Sequence, residues 1–148
     1  MKDPGQFEQL SVHLDDLDPM GMLHNSRYVA LAERAINAYW VRRGWSPDAA
    51  VSTFPDFFMA IREVKVVFHQ PITGMCAPVV HFWIERVGTT SCVHGFRVLS
   101  ADRSVVHAEG HRVIVNLDPK TLRPAPFSDE LRAAAGLEPQ PQAALSAA

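Results

Sequence analysis

Cysteine is scarce in this sequence: Cys76 and Cys92 are the only two in 148 residues. They form no C-x-x-C pair and no framework of bridges, so reduced intracellular thiols are the expected state. Long apolar runs are missing as well. No stretch approaches the ~20 residues needed to cross a bilayer, and the opening "MKDPGQFEQL" has no apolar signal region. The cytoplasm is therefore the expected location, with no membrane partner. Charge of one sign is not in excess: 14 basic and 16 acidic residues leave a net charge of -2, which provides no electrostatic footprint for nucleic acid. A G-x-S-x-G elbow, a Cys/His/Asn array and a glycine-rich phosphate loop are all absent, which disfavours serine and cysteine hydrolases and nucleotide-binding loops.

What is present is a chain long enough for one domain with a substantial core. It is 47% hydrophobic and 20% charged, as folded soluble domains are. Eleven of the 14 basic residues are arginine. Arginine suits bidentate phosphate contacts, which fits a small phosphorylated ligand and equally fits a genome rich in arginine codons.

Residues 6–14, "QFEQLSVHL", partly alternate apolar and polar and read as a strand. A turn-rich segment follows, and then "SRYVALAERAINAYWVRRG", in which Tyr28, Ala32, Ala35 and Tyr39 mark one side of a helix near 26–43. Leu31, Ala38 and Trp40 lie close by, which predicts a helix wrapped on most sides. Gly44 is the expected stop. The segment "SPDAAVSTFPD" reads as a loop or a short turn of helix. The period then changes to two. Val64, Val66 and Phe68 alternate with Glu63, Lys65 and His69, and Val80, Phe82 and Ile84 with His81, Trp83 and Glu85. Segments 90–100 and 104–118 continue the series, separated by turns such as "QPITGM", "RVGTT" and "SADR". Five of the 11 prolines lie at or beyond Pro119. "FSDELRAAAGL" could form a short amphipathic helix, and 138–148 is expected to be a disordered tail after a single domain over 1–137. One helix and about five strands imply an α+β fold: an antiparallel sheet with a helix on one face.

The chemistry concentrates in residues 16–28, "DLDPMGMLHNSRY". Pro19 and Gly21 bend the chain, and Asn25 or Ser26 is placed to cap the helix. A helix N-terminus offers unpaired N–H groups and a positive dipole end. A carboxylate a few residues upstream, at Asp18, would share that space with an oxyanion donor. One group that attacks or activates water and another that stabilises the carbonyl oxygen suffice for acyl transfer. On the residues alone, three aspartates before a helix are more ordinarily a solvated turn.

That segment, followed by "YVALAERA", resembles the hotdog-fold acyl-CoA thioesterases of the 4-hydroxybenzoyl-CoA thioesterase type. The D-x-D-x-x-G to Tyr signature falls on Asp16, Asp18, Gly21 and Tyr28. "VVFHQPITGM", "ERVGTTSCVHGFRVL" and the Arg-Pro-x-Pro exit near Arg123 extend the likeness over roughly residues 7–135. The resemblance implies a hotdog domain and hydrolysis of an acyl-CoA or acyl-carrier thioester. Asp18 would be the catalytic carboxylate, acting as nucleophile or general base, and the Asn25 backbone N–H would polarise the carbonyl. It places Gly21 and Tyr28 in the substrate site, with Thr89, Thr90 and Ser91 bordering the acyl thioester and Arg86 and Arg97 near the CoA phosphates. It also implies a homodimer or homotetramer with sites between protomers, no metal, and no cofactor beyond the CoA of the substrate. The chain departs from the pattern at Met75, where many relatives are acidic, and at Met22, where many fatty-acyl relatives have His.

Seven histidines remain to be placed. His107 and His111 are four apart, a metal spacing on a helix. On a strand the same spacing separates them by about 13 Å, too far for one zinc. His24 lies within the turn, where it could assist proton transfer or simply pack and hydrogen-bond. Two other functions stay open. A hydroxyacyl thioester dehydratase of this fold would need a histidine on the central helix, and 26–43 has none. A non-catalytic acyl-CoA-binding or regulatory module would use Asp18 only as a turn former.

Overall fold

The computed structural model describes residues 5–56 and 58–136; the tail expected over 138–148 lies outside them. Five strands form one antiparallel sheet in the order β1-β3-β4-β5-β2. They are β1 (Gln6–Gln9), β2 (Met59–Phe68), β3 (Val79–Val87), β4 (Ser91–Leu99) and β5 (Val106–Asn116). Helix α1 (Arg27–Arg42) crosses one face, and a short helix α2 (Asp129–Ala134) covers one end of that face. This is the architecture expected of a hotdog domain.

Helix α1 forms because it is rich in alanine, with few β-branched residues and no glycine or proline. It buries Tyr28, Leu31, Ala32, Ala35 and Ile36, a spacing of three and four that keeps them on one stripe. The burial is thus one-sided rather than all round, and Ile36 belongs to the stripe while Tyr39 is only half-buried. Fully buried Ala32 and Ala35 bring the helix close to Val80, Phe82, Phe96, Val98 and Ala108 of the sheet. The helix ends in a Schellman motif: Trp45 N–H bonds to Trp40 O and Gly44 N–H to Val41 O, both at 3.0 Å. Gly44 supplies the required left-handed conformation at φ +101°.

Two expected elements differ. The first strand is only four residues long, because Leu10 and Val12 donate to Pro78 O and Cys76 O in a loop rather than to a strand, and a 3-10 turn at Leu14–Asp16 follows. The helix cap is not made by Asn25 or Ser26. No side chain of the N-cap residue Ser26 takes a helix N–H, whereas the Ser26 N–H itself donates to His24 Nδ1 at 3.2 Å.

Strand β2 is an edge. It carries Ile61, Val64, Val67 and Phe68 at 37–51% exposure, and a bulge between Ile61 and Glu63 resets its alternation. On the β5 side Gly110 leaves no room for a side chain, since a Cβ there would lie 1.8 Å from Lys65 O. At the far end of the sheet, buried Asp56 accepts from Ser128 N at 2.8 Å and Asn116 Nδ2 at 3.3 Å, and also from the Ser128 hydroxyl. Asn116 Nδ2 in turn reaches Ala125 O and Pro126 O at 3.2 and 3.1 Å. These bonds fasten the proline-rich exit segment and α2 to the sheet.

Candidate active site

The segment between β1 and α1 is organised by two aspartates with different tasks. Asp16 is buried. Its Oδ2 accepts the His13 N–H at 2.9 Å, its Oδ1 lies 3.6 Å from Arg27 Nε, and its carbonyl accepts the His24 N–H. It therefore ties the turn to the first residue of the helix. Asp18 begins a tight turn with Pro19 at the second position and Gly21 at the fourth, closed by a 3.0 Å bond from Gly21 N to Asp18 O. Gly21 adopts φ +76° with open space around its Cα, so backbone conformation, not crowding, selects glycine. One carboxylate oxygen of Asp18, Oδ1, accepts the Met20 and Met22 N–H groups at 2.8 and 3.1 Å. The other has no protein partner among the described residues.

The turn is anchored to a distant segment. Leu23 N donates to Ile72 O and Gly74 N to Gly21 O, both at 2.9 Å, while Ile72 N donates to the Tyr28 hydroxyl at 3.2 Å. Tyr28 is buried, its ring edge-on to Phe68 at 5.1 Å. The result is a groove of about 610 Å³. Its walls are Asp18, Pro19, Met22, Leu23, His24, Asn25 and Tyr28 on one side, and Phe68, His69, Gln70 and Pro71 on the other. The Asn25 N–H, at the helix entrance, has no acceptor among the described residues, so a free carboxylate oxygen and a free donor at a positive helix end border one space. The His24 ring is engaged locally, with Nδ1 2.8 Å from Ser26 Oγ.

Of the residues expected in the site, Asp18, His24, Asn25 and Tyr28 share this groove. Gly21 shapes it from the exposed tip of the turn without lining it. Thr89, Thr90 and Ser91 lie elsewhere in the same chain. They form the β3–β4 hairpin, where Thr90 O accepts from Asn116 N and Thr89 O from Phe127 N. Ser91 pairs with Val115, whereas Phe68 of the groove pairs with Ala108; that stretch of β5 is about 24 Å long at ~3.4 Å per residue. Arg86 is exposed beside the β3 bulge. Arg97 lies on the outer sheet face, 3.4 Å from Glu109 Oε2 and over the Trp83 ring.

The groove also contains residues that the sequence did not single out as site residues. His69 is the main one: its Nε2 is 3.3 Å from Glu109 Oε1. Hydrogen bonds from His69 and then Arg97 hold the Glu109 carboxyl below its ordinary range. His69–Pro71 join the site only because the Tyr28–Ile72 contact folds this loop against the helix, a pairing without a local sequence signal. His107 and His111 are separately engaged, with Gln70 O at 2.9 Å and Glu63 Oε1 at 3.1 Å. Among the described residues no three His, Cys, Asp or Glu side chains gather as metal ligands.

An antiparallel five-stranded sheet carrying one long helix, with an acidic turn at the helix entrance, defines a hotdog domain of the thioesterase class. The chain belongs to the thioesterase-like superfamily, whose family model matches residues 12–135. Among curated proteins none matches it in sequence. Solved structures share the fold. A protein from Pseudomonas aeruginosa superposes with a TM-score of 0.78 at 22% identity, over 93% of this chain and 94% of that one. The 1,4-dihydroxy-2-naphthoyl-CoA thioesterase of Synechocystis gives 0.78 at 15% identity, over 88% and 94%. A Thermus thermophilus thioesterase, solved with coenzyme A and zinc, gives 0.70 at 24% identity, over 86% and 94%. No helix among the described residues is long and apolar enough to span a membrane.

Proposed function

We propose that this chain hydrolyses an acyl-CoA thioester to a free acid and CoA, with Asp18 as the catalytic carboxylate. The observation that carries the reading is the shared groove: an Asp18 oxygen without a protein partner and the unpaired Asn25 N–H border it together. In one route an Asp18 oxygen attacks the thioester carbonyl carbon. The C–S bond then breaks, the thiolate leaves with the electron pair, and water cleaves the resulting anhydride to acid and Asp18. In the other route Asp18 takes a proton from water as its oxygen attacks. In both, negative charge builds on the carbonyl oxygen, and a preorganised backbone donor there is worth roughly 3 kcal/mol in transition-state energy. A thiolate leaves readily, so no strong general acid is required, and no cofactor is needed beyond the CoA of the substrate.

The active form in this reading is a homodimer joined through β2, whose exposed apolar edge invites a partner strand. In a two-fold antiparallel pairing Phe68 faces the partner's Met59 end. The partner's hairpin of Thr89, Thr90 and Ser91 then approaches the Asp18 groove, which explains why one chain alone leaves those residues apart. Pairing of two dimers through the outer sheet faces would make a tetramer.

Two relatives have names that specify CoA chemistry, a naphthoyl-CoA substrate in one and bound coenzyme A in the other, and they support a CoA thioester here. The test is release of free thiol across a panel of aromatic, short-chain and long-chain acyl-CoAs. Turnover of at least one supports hydrolysis. Tight binding without turnover indicates a binding module, and loss of water from hydroxyacyl-CoA without thiol release indicates a dehydratase.

A further inference from the structure

His24 borders the Asp18 groove next to Asn25, and the way its ring is held decides which proton it can offer. Nδ1 lies 3.2 Å from the Ser26 backbone nitrogen and 2.8 Å from Ser26 Oγ. A backbone N–H can only donate, so Nδ1 is the acceptor there. A proton on Nδ1, bonded instead to the hydroxyl, would face the Ser26 N–H and leave that helix-entrance donor without an acceptor. The hydroxyl rotates to suit either form. The neutral ring therefore carries its one proton on Nε2, and Nε2 has no hydrogen-bond partner among the described residues.

The helix entrance thus acts as a relay. Arg27 N–H is committed to His24 O at 2.9 Å, Ser26 N–H is committed to Nδ1, and Asn25 N–H is free. The imidazole takes up the middle donor and presents another, Nε2–H, on its far side. Donation into Nδ1 polarises the ring and strengthens Nε2–H as a donor, and the positive end of α1 acts in the same direction. A base beside Asp18 would need an open lone pair. This ring has its lone pair engaged by Ser26 and offers a proton instead.

We propose that His24 is a catalytic hydrogen-bond donor, whose Nε2–H holds the thioester carbonyl oxygen together with the Asn25 N–H while charge builds there. This role rests on the hydrolysis proposed above. The proton stays on Nε2 throughout, so the bonds made and broken in either route are unchanged. Two preorganised donors on one oxyanion stabilise it more than one does.

Nitrogen-15 spectra of histidine-labelled protein at about pH 8, above the ordinary histidine range, read the tautomer, and His24→Gln identifies the signal by its loss. Nε2 is expected to be the protonated nitrogen, and its signal to move when the best acyl-CoA of the panel is added to Asp18→Asn. In kinetics His24→Phe lowers kcat at least about tenfold with KM within about twofold, because the bond tightens in the transition state. His24→Gln, which keeps an N–H at similar reach, recovers most of that loss. Should His24→Phe fail to fold, the spectra decide alone. A proton on Nδ1, a stationary Nε2 signal, or a folded His24→Phe changed only in KM or not at all overturns the proposal. Full turnover in His24→Phe beside loss in Asp18→Asn removes this role and leaves hydrolysis standing. No thiol release by the wild type from any acyl-CoA removes both.

Discussion

Asp18 Oδ1 accepts the backbone N–H of Met22 from the far side of its own turn, at 3.1 Å. Together with the 2.8 Å bond from Met20, this fixes the carboxylate with one oxygen committed to the turn. The other is available to the groove. The turn former and the proposed catalyst are thus one side chain, and a substitution there has to preserve the first role in order to test the second.

The polar clasp at the opposite end of the sheet is structural. Asp56→Ala leaves the part-buried Ser128 N–H and hydroxyl without their acceptor, at about 1–3 kcal/mol for each group left unsatisfied. Chemical denaturation should show a loss of roughly that size. Unchanged stability would mean that the exit segment is not held through Asp56.

Acid should destabilise the fold through His94. Burial, assisted by the Arg112 charge, depresses its folded pKa to about 3, whereas the unfolded chain takes up a proton near 6.5. The unfolded state therefore binds more protons between those values, and stability falls as pH falls through that window, by about 1.4 kcal/mol per pH unit at most. Cys92, Arg112 and, beyond Arg112, Glu33 are the ionisable neighbours concerned. Unfolding free energies of wild type and His94→Asn, compared from pH 7 to pH 4, should diverge with this slope. Parallel curves would contradict it.

The two thiols should differ in reactivity. Cys76 is exposed and Cys92 buried, and burial keeps the latter protonated. A thiol reagent should label one cysteine per native chain and the second only on unfolding. The same blank must be subtracted when CoA release is followed with that reagent.

The proposed assembly through β2 can be tested at its edge. Ile61→Lys places a charge on the exposed apolar strand, and sedimentation should show monomers where the wild type forms dimers or tetramers. Thiol release should fall with it, because the proposed approach of the partner's hairpin of Thr89, Thr90 and Ser91 to the groove is lost. A monomer with full activity would show that each chain carries a complete site.

Periodicity alone located α1 and the four long strands, because each repeats apolar residues at the spacing of its own element. It failed where partners are distant or absent. Leu10 and Val12 alternate as in a strand but pair with loop carbonyls, and Ser26, a good cap residue, holds the N-cap position without a side-chain cap bond. Val64 and Phe68 alternate with polar residues as in a strand with one buried side, yet remain exposed, because β2 is an edge of the sheet. Asp18 was legible through its family signature; His69 and Pro71 were not, since the Tyr28–Ile72 bond that brings them to the groove spans 44 residues. The His94–Arg112 pair was equally hidden, being visible only once strand register is known.

The most direct test of the central claim is thiol release by Asp18→Asn, measured beside wild type on the best acyl-CoA of the panel. The amide oxygen can still accept from Met20 and Met22, so folding and oligomer size should be unchanged while hydrolysis falls by at least about a hundredfold, the contribution of a positioned acid–base group. A folded variant that retains most of its activity would contradict the assignment of Asp18 as the catalytic carboxylate.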